Sequence, residues 1–323
     1  MPCGRESYCH PTGQRKGPKT HPANRMIQQK MPVKKQHKLT WQHFALELGQ
    51  STRIMGVLNV TPDSFSDGGR FFAKDKALAQ AEKMIADGAD IIDIGGESSR
   101  PFSEIVSVEE ECRRVLPVIE HLAEQISVPI SIDTTKAEVA SRAISAGASM
   151  INDISSLQFD PEMGNIAAKN DVLLVLMHMK GTPADMQVAP VYDDLVGEIY
   201  DFLLQAICRA EKYGVAKSKI IADPGIGFGK TISHNLFLIK NLEDLNDLGV
   251  PIMIGPSRKA FIRKILSKPD QPELKPDHPV VEIGTQAAVA AAVMSGAHIV
   301  RVHDVASTYQ TIKIIDAIIH STQ

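Results

Sequence analysis

The chain has no long apolar run. Nothing in it approaches the roughly 20 consecutive apolar residues that a membrane-spanning helix needs, so no transmembrane segment and no membrane association is expected. The first 30 residues lack an apolar h-region, which argues against a secretory signal. Cysteines are few: Cys3, Cys9, Cys112 and Cys208 show neither CxxC spacing nor a disulfide pattern, as suits a reducing cytoplasm. No GxGxxG follows the first strand, which weakens the case for a dinucleotide-binding open sheet. What remains is an ordinary globular composition of 323 residues, 43% hydrophobic and 23% charged, with a net charge of −3.

That charge is unevenly spread. Residues 1–38 hold nine Lys/Arg and one acid, a net of +8 that leaves −11 for the rest. This segment is rich in Pro, Gly and His and has no apolar periodicity, so it reads as a disordered basic arm. Charge alone is weak ground for a nucleic-acid partner, and none is expected. Cys3, Cys9, His10 and His21 fit no recognised zinc frame.

From residue 39 to 323 the chain reads as one domain. Residues 40–48 alternate apolar and polar side chains and lead through Gly49 into 53–59, the pattern of an N-terminal hairpin. Short Val/Ile/Leu strands near 54–59, 90–95, 129–133, 150–153, 172–178, 219–223, 252–256 and 299–303 then alternate with helical patterns. The helices fit 75–88, 108–126, 135–146, 161–169, 192–213, 233–248, 280–295 and 305–319, with an exposed Pro-rich insertion at 267–279. Eight apolar strands alternating with eight helices predict a parallel sheet buried on both faces, closed as a (β/α)8 TIM barrel. An open doubly wound sheet is the alternative.

In a barrel, function gathers on the loops at the C-terminal ends of the strands. Those ends carry Asn59, then Glu97 to Arg100, Asp133, Asn152-Asp153, His178, Asp223, Ser257 to Lys259, and Arg301 with His303. Taken singly, each has a plainer reading. Asp133 could cap the next helix, and His178 reads as a hydrogen-bonded core histidine. Eight polar ends at one mouth point to a ligand. Asp133, Asn152 and Asp223 suit a donor-rich planar amino-heterocycle, because a buried carboxylate without donors costs several kcal/mol. Arg100, Lys259, Arg301 and His303, with Ser98, Ser99 and Ser257, form a cationic half suited to a diphosphate. Asn59 could ligate Mg2+, which takes oxygen ligands together with substrate phosphates. The run Gly225 to Thr231 looks like a phosphate loop, but it has three residues between Gly225 and Gly229 where GxxxxGK[ST] needs four. Its glycines more simply let the chain pass under a flat ligand, with Phe228 as a wall.

The motifs GVLNVTPDSFSDGG, DIGGESSRP, SIDT, NDI, LMHMKGTP, DPGIGFGKT, GPSRK and RVHDV occur in that order over about residues 50–320. Together they resemble the dihydropteroate synthases, folate-pathway transferases of the pterin-binding TIM-barrel family. The resemblance implies condensation of 6-hydroxymethyl-7,8-dihydropterin diphosphate with p-aminobenzoate, giving 7,8-dihydropteroate and diphosphate, with Mg2+ required. It implies that Asp133, Asn152, Met177, Asp223, Lys259 and Arg301 hold the pterin. Asn59, Ser99, Arg100, Arg301 and His303 would hold the diphosphate, with Asn59 on the metal. Phe65, Asp67, Pro101, Phe228, Lys259 and Ala260 would form the p-aminobenzoate pocket. Asp133, Asp223, Lys259, Arg301 and His303 are the residues it marks as catalytic. A cytoplasmic homodimer is expected, the last helix carrying more apolar surface than one barrel contact needs.

The sequence departs from the family pattern at Ser99, where Thr is common, at Phe102, where Gly is usual, and at Ala260, where a Ser often meets the p-aminobenzoate carboxylate. Two rival readings follow. A methyltetrahydrofolate methyltransferase on a similar barrel would share the Asp/Asn half but would have no use for the cationic half. A non-catalytic barrel paralogue would have lost the first-strand loop or the anion cluster, and neither is lost.

Overall fold

A computed structural model describes residues 34–60, 70–98, 106–183 and 185–321. Two antiparallel strands, β1 (His37–Trp41) and β2 (Phe44–Leu48), open it as a hairpin with Trp41 opposite Phe44. Eight parallel strands follow: β3 (Arg53–Asn59), β4 (Ile91–Gly95), β5 (Ile130–Asp133), β6 (Met150–Asp153), β7 (Leu173–Met177), β8 (Ile220–Asp223), β9 (Met253–Ile254) and β10 (Ile299–Val302). They lie in the order β8-β7-β6-β5-β4-β3-β10-β9. A parallel bridge between Ala222 and Ile252 joins the two outer strands and closes the barrel.

The helices are α1 (Arg70–Ala86), α2 (Val108–Gln125), α3 (Ala137–Ser145), α4 (Glu162–Asn170), α5 (Leu195–Lys212), α6 (Ile232–Lys240), α7 (Ala260–Leu266), α8 (Pro279–Met294) and α9 (Val305–Ile319). Several start on a side-chain cap that satisfies an orphan N–H of the first turn. Ser107 accepts from Glu110 N–H ahead of α2, Asp194 from Gly197 N–H ahead of α5, and Asp304 from Ser307 N–H ahead of α9.

Each strand is apolar on both faces because each face meets a different core. Outward residues such as Ile54, Ile92, Ile94, Ile132, Leu174 and Val300 pack under the helices. Inward residues Met55, Ile91, Met150, Leu173, Val175, Ile221, Met253 and Ile299 form a second cluster with Leu39, Trp41, Leu46 and Leu48 of the hairpin. The hairpin therefore plugs the base of the barrel and leaves its other end for the site.

All eight predicted strands overlap observed ones, and four details differ. Ordered structure is present by Lys34, inside the segment read as an arm ending at residue 38. There Lys34 Nζ is buried, donates to Thr52 Oγ1 at 2.5 Å and pairs with Asp316 at 3.6 Å. The helix predicted over 233–248 breaks after Lys240 and continues as a 3-10 segment, Leu242–Leu248. β9 has two residues because Gly255 and Pro256 end it at once. α7 was not expected, since seven residues are too few to display a helical period.

Candidate active site

Side chains alternate across a strand, so stepping two residues toward the C-terminal end keeps one facing the barrel interior. Along that step Ile91 gives way to Asp93, Met150 to Asn152, Ile221 to Asp223, and Ile299 to Arg301. At the mouth a cavity is lined by Asp133, Asn152, Met177, Asp223, Phe228, Lys259 and Arg301. Seven of the residues singled out in the sequence therefore meet in one place. Asp133 is turned inward and does not cap the following helix, since Ala137 N–H is taken by Asp160.

The acidic and cationic halves are not separate, as the sequence had suggested. Arg301 reaches across the mouth and joins them. Its Nε donates to Asp93 Oδ2 at 2.6 Å and its Nη2 to Asp133 Oδ2 at 2.6 Å. Asn152 Nδ2 donates to the same Asp93 oxygen at 3.1 Å. Asp93 was missed in the sequence, although a carboxylate in the middle of the otherwise apolar IIDIG strand was a visible signal.

Burial sets the protonation chemistry here. It pushes the Asp133 carboxyl up to about 7, against the pull of the Arg301 guanidinium. It also raises Asp223, whose Oδ1 accepts from Gly225 N–H at 2.7 Å, with Lys259 and Arg301 opposing the rise. Lys259 is lowered to about 8 by burial and by the nearby Arg301. Burial works against the Arg301 charge too, but Asp93 and Asp133 outweigh it and hold the guanidinium above its ordinary range.

The loop after β8 forms one wall. Gly225 has φ 70°, and a Cβ there would lie 1.9 Å from the His178 carbonyl oxygen, so no side chain fits. Lys259 Nζ sits 4.1 Å from the centroid of the Phe228 ring. Behind the wall, His178 packs edge-on to Phe202 and lies 2.9 Å from Lys230 Nζ, which also donates to the Phe228 carbonyl at 2.9 Å. His178 is buried away from the cavity, and burial together with the Lys230 charge lowers it to about 2.

The remaining residues divide. His303 Nδ1 lies 2.9 Å from Ser257 Oγ, which ties the ends of β9 and β10 together. Ala260 opens α7 and is exposed. Glu97 turns away from the mouth: its carboxylate accepts from Lys136 at 2.6 Å and from Val106 N–H at 2.9 Å. Phe65, Asp67, Ser99, Arg100 and Pro101 lie outside the described residues, as does Phe102.

Among the described residues no cluster of three or more His, Cys, Asp or Glu side chains could hold a metal. Asn59, at the end of β3, offers one neutral oxygen at the mouth, and its Oδ1 would lie 3.9 Å from a Cβ placed on Gly95. A single protein oxygen fits magnesium held largely by phosphate and water, and it would not fit a metal needing a full protein cage.

A closed parallel barrel with buried carboxylates, an amide and cations at its C-terminal mouth has the layout of a barrel enzyme's active site. The model of the family described as pterin binding enzyme matches residues 55–303. The dihydropteroate synthase of Synechocystis sp. is 48% identical over 270 residues, 84% of this chain and 91% of its own length. That of Bacillus subtilis is 45% identical over 276 residues, 85% of this chain and 92% of its own. The solved structure of Xanthomonas albilineans dihydropteroate synthase with 4-aminobenzoic acid matches with a TM-score of 0.81 at 41% identity, covering 89% of this chain and 100% of that one. The same enzyme in complex with 7,8-dihydropteroate matches at 0.77 and 40% identity, over 88% and 100%. The chain belongs to the dihydropteroate synthase family.

Proposed function

We propose that the mouth binds 6-hydroxymethyl-7,8-dihydropterin diphosphate and p-aminobenzoate and joins them by ionisation followed by capture. The observation that carries this is Asp223: a buried carboxylate on the cavity wall that accepts from Gly225 N–H and, among the described residues, from no other donor. Such a group calls for N–H donors from a ligand, and an amino-pterin edge supplies them. In this reading Asn152 and Asp133 take neighbouring ring positions, Met177 packs on one face, and Arg301 covers the other.

The bond between the pterin methylene and the diphosphate oxygen breaks with its electron pair on the diphosphate. Asp133 and Asp223 stabilise the charge left on the pterin-methyl cation, while Arg301 and His303 hold the departing anion. The p-aminobenzoate nitrogen, placed beside Phe228 and Lys259, donates its lone pair to the methylene and loses a proton to the medium. No protein nucleophile is needed. Magnesium, held by Asn59 and diphosphate oxygens, would supply further neutralisation of the leaving group. Roles for Ser99 and Arg100 on the diphosphate, and for Phe65, Asp67 and Pro101 beside p-aminobenzoate, rest on the motif resemblance.

The test is diphosphate release by purified protein given dihydropterin diphosphate and Mg2+, with and without p-aminobenzoate. Amine-dependent release with dihydropteroate formation is expected. Pterin binding without turnover would favour the non-catalytic paralogue, and no pterin binding would overturn the reading.

The same reading includes a cytoplasmic homodimer. No helix among the described residues is long and apolar enough to cross a membrane. Ile283 on α8 and Ile314 and Ile318 on α9 are 69%, 64% and 50% exposed, an apolar face that a second copy would cover. Sedimentation at the monomer mass would overturn the dimer.

A further inference from the structure

The two carboxylates that grip Arg301 are not equivalent. Asp133 lines the cavity and its side chain is 15% exposed, whereas the Asp93 side chain is 0% exposed and lies one layer deeper. A ligand can therefore take Asp133 but cannot reach Asp93. When ring N–H groups engage Asp133, its hold on Arg301 weakens, and a long guanidinium side chain left with one anchor depends on that anchor for its aim. Asp93 provides it, through the 2.6 Å bond to Nε.

Asp93 is also a poor choice for stability alone. Its Oδ2 serves both Arg301 and Asn152, while its Oδ1 is buried with no hydrogen-bond partner among the described residues. An orphaned buried acceptor destabilises the fold, and replacing a buried ion pair by apolar residues is often neutral or stabilising. An interior carboxylate with that geometry is explained by what it does for Arg301. We infer that Asp93 is a positioning residue, which fixes the Arg301 guanidinium over the pterin diphosphate site while Asp133 exchanges its ion pair for the substrate. The inference rests on the reading of the mouth as the pterin site.

The experiment is a double-mutant cycle on the full chain, using D93N, R301M and D93N/R301M, with kcat and both KM values measured and folding checked by thermal melting. D93N keeps an acceptor oxygen for Asn152 and removes the charge that holds Arg301. The expected result is a fall of about 30-fold in kcat/KM for the pterin diphosphate, with KM for p-aminobenzoate within about twofold of the parent. Because Asp93 acts through Arg301, the double variant should be no worse than R301M. Additive losses, or a D93N enzyme that shifts both KM values equally, would overturn the inference. Should D93N fail to fold, R301M against D93N/R301M still decides: equal kinetics support positioning and further loss overturns it. An R301M enzyme with an unchanged pterin-diphosphate KM would sink the pterin-site reading as well. A silent D93N beside an impaired R301M would sink the Asp93 role alone.

Discussion

At the base of the barrel the interior positions of β4, β6, β8 and β10 hold Ile91, Met150, Ile221 and Ile299, sealed by Trp41 and three leucines of the hairpin. Two residues further along, roughly 7 Å at the rise of a strand, the same strands present Asp93, Asn152, Asp223 and Arg301. The step from hydrocarbon to a lattice of charge takes one layer of side chains. The sealed base excludes water from below, which is one reason the carboxylates above it are raised by burial. The base is thus expected to set stability and the mouth to set chemistry, and each end can be broken separately.

The largest effect is expected at the mouth. Asp223→Asn keeps shape and hydrogen-bonding capacity but removes a charge from beside the developing cation. A loss on the order of 1,000-fold in kcat is expected, the range seen when a group that stabilises transition-state charge is removed. The melting temperature should hold or rise, because a carboxylate raised by burial disfavours the folded state near neutral pH. Steady-state kinetics and a thermal melt on the same preparation test both halves. A parallel loss of activity and stability would mean that the two ends are not separable.

Trp41→Ala attacks the base. Trp41 is buried among Leu39, Leu46, Leu48 and the lower barrel residues. Deleting a buried aromatic costs about 3–5 kcal/mol, so the denaturant midpoint should drop steeply. kcat per folded molecule should stay within about twofold at temperatures where the variant remains folded. A large fall in kcat would show that the base shapes the mouth.

The two ends also differ in how readily they could be read from sequence. The strands were visible because both of their faces are buried, which yields short unbroken Val/Ile/Leu runs. The strand-end positions Asp133, Asn152 and Asp223 were visible because short polar side chains stay where the backbone delivers them. Arg301 was located, but its reach toward Asp93 and Asp133 was not, because the aim of a long side chain depends on partners from other strands. Asp93 sits inside β4, away from the strand ends where polar side chains signal a barrel's site. α7 buries Phe261 and Ile262 in seven residues, too few for a period. Ser99 and Arg100 were legible as part of the cationic half from their place after β4, whereas roles for Phe65, Asp67 and Pro101 came from motif resemblance alone.

A smaller effect links the base to pH. His298 Nδ1 accepts from Ile252 N–H at 3.1 Å, and Nε2 lies 2.9 Å from the Lys35 carbonyl. Burial lowers its pKa to about 4. A base whose folded pKa lies below its unfolded value near 6.5 contributes stability that is complete above that value and lost as pH falls toward 4. Asp133, raised to about 7, acts in the opposite sense and favours the folded state as pH falls through 7. The comparison of variants therefore isolates His298. Between pH 7 and pH 5, His298→Asn should lose on the order of 2 kcal/mol less than the parent in denaturant unfolding. Equal losses would remove His298 as the acid-sensitive contact.

The smallest expected change is a gain at the mouth. Ala260 follows Lys259, the N-cap of α7, which makes no side-chain capping bond. A hydroxyl at this exposed position could donate to the p-aminobenzoate carboxylate without displacing any packed group. A neutral-to-charged hydrogen bond at a solvated site contributes well below the 1.5–3 kcal/mol of a buried one, so Ala260→Ser should lower KM for p-aminobenzoate by about threefold. Leaving kcat nearly unchanged would mark it as uniform binding, equal in ground and transition states. The melt should scarcely move, since Ser in place of Ala costs only a few tenths of a kcal/mol in a helix. An unchanged KM would mean that Lys259 and solvent already satisfy the carboxylate. A changed melting temperature would mean that even the rim of the mouth contributes to the stability assigned to the base.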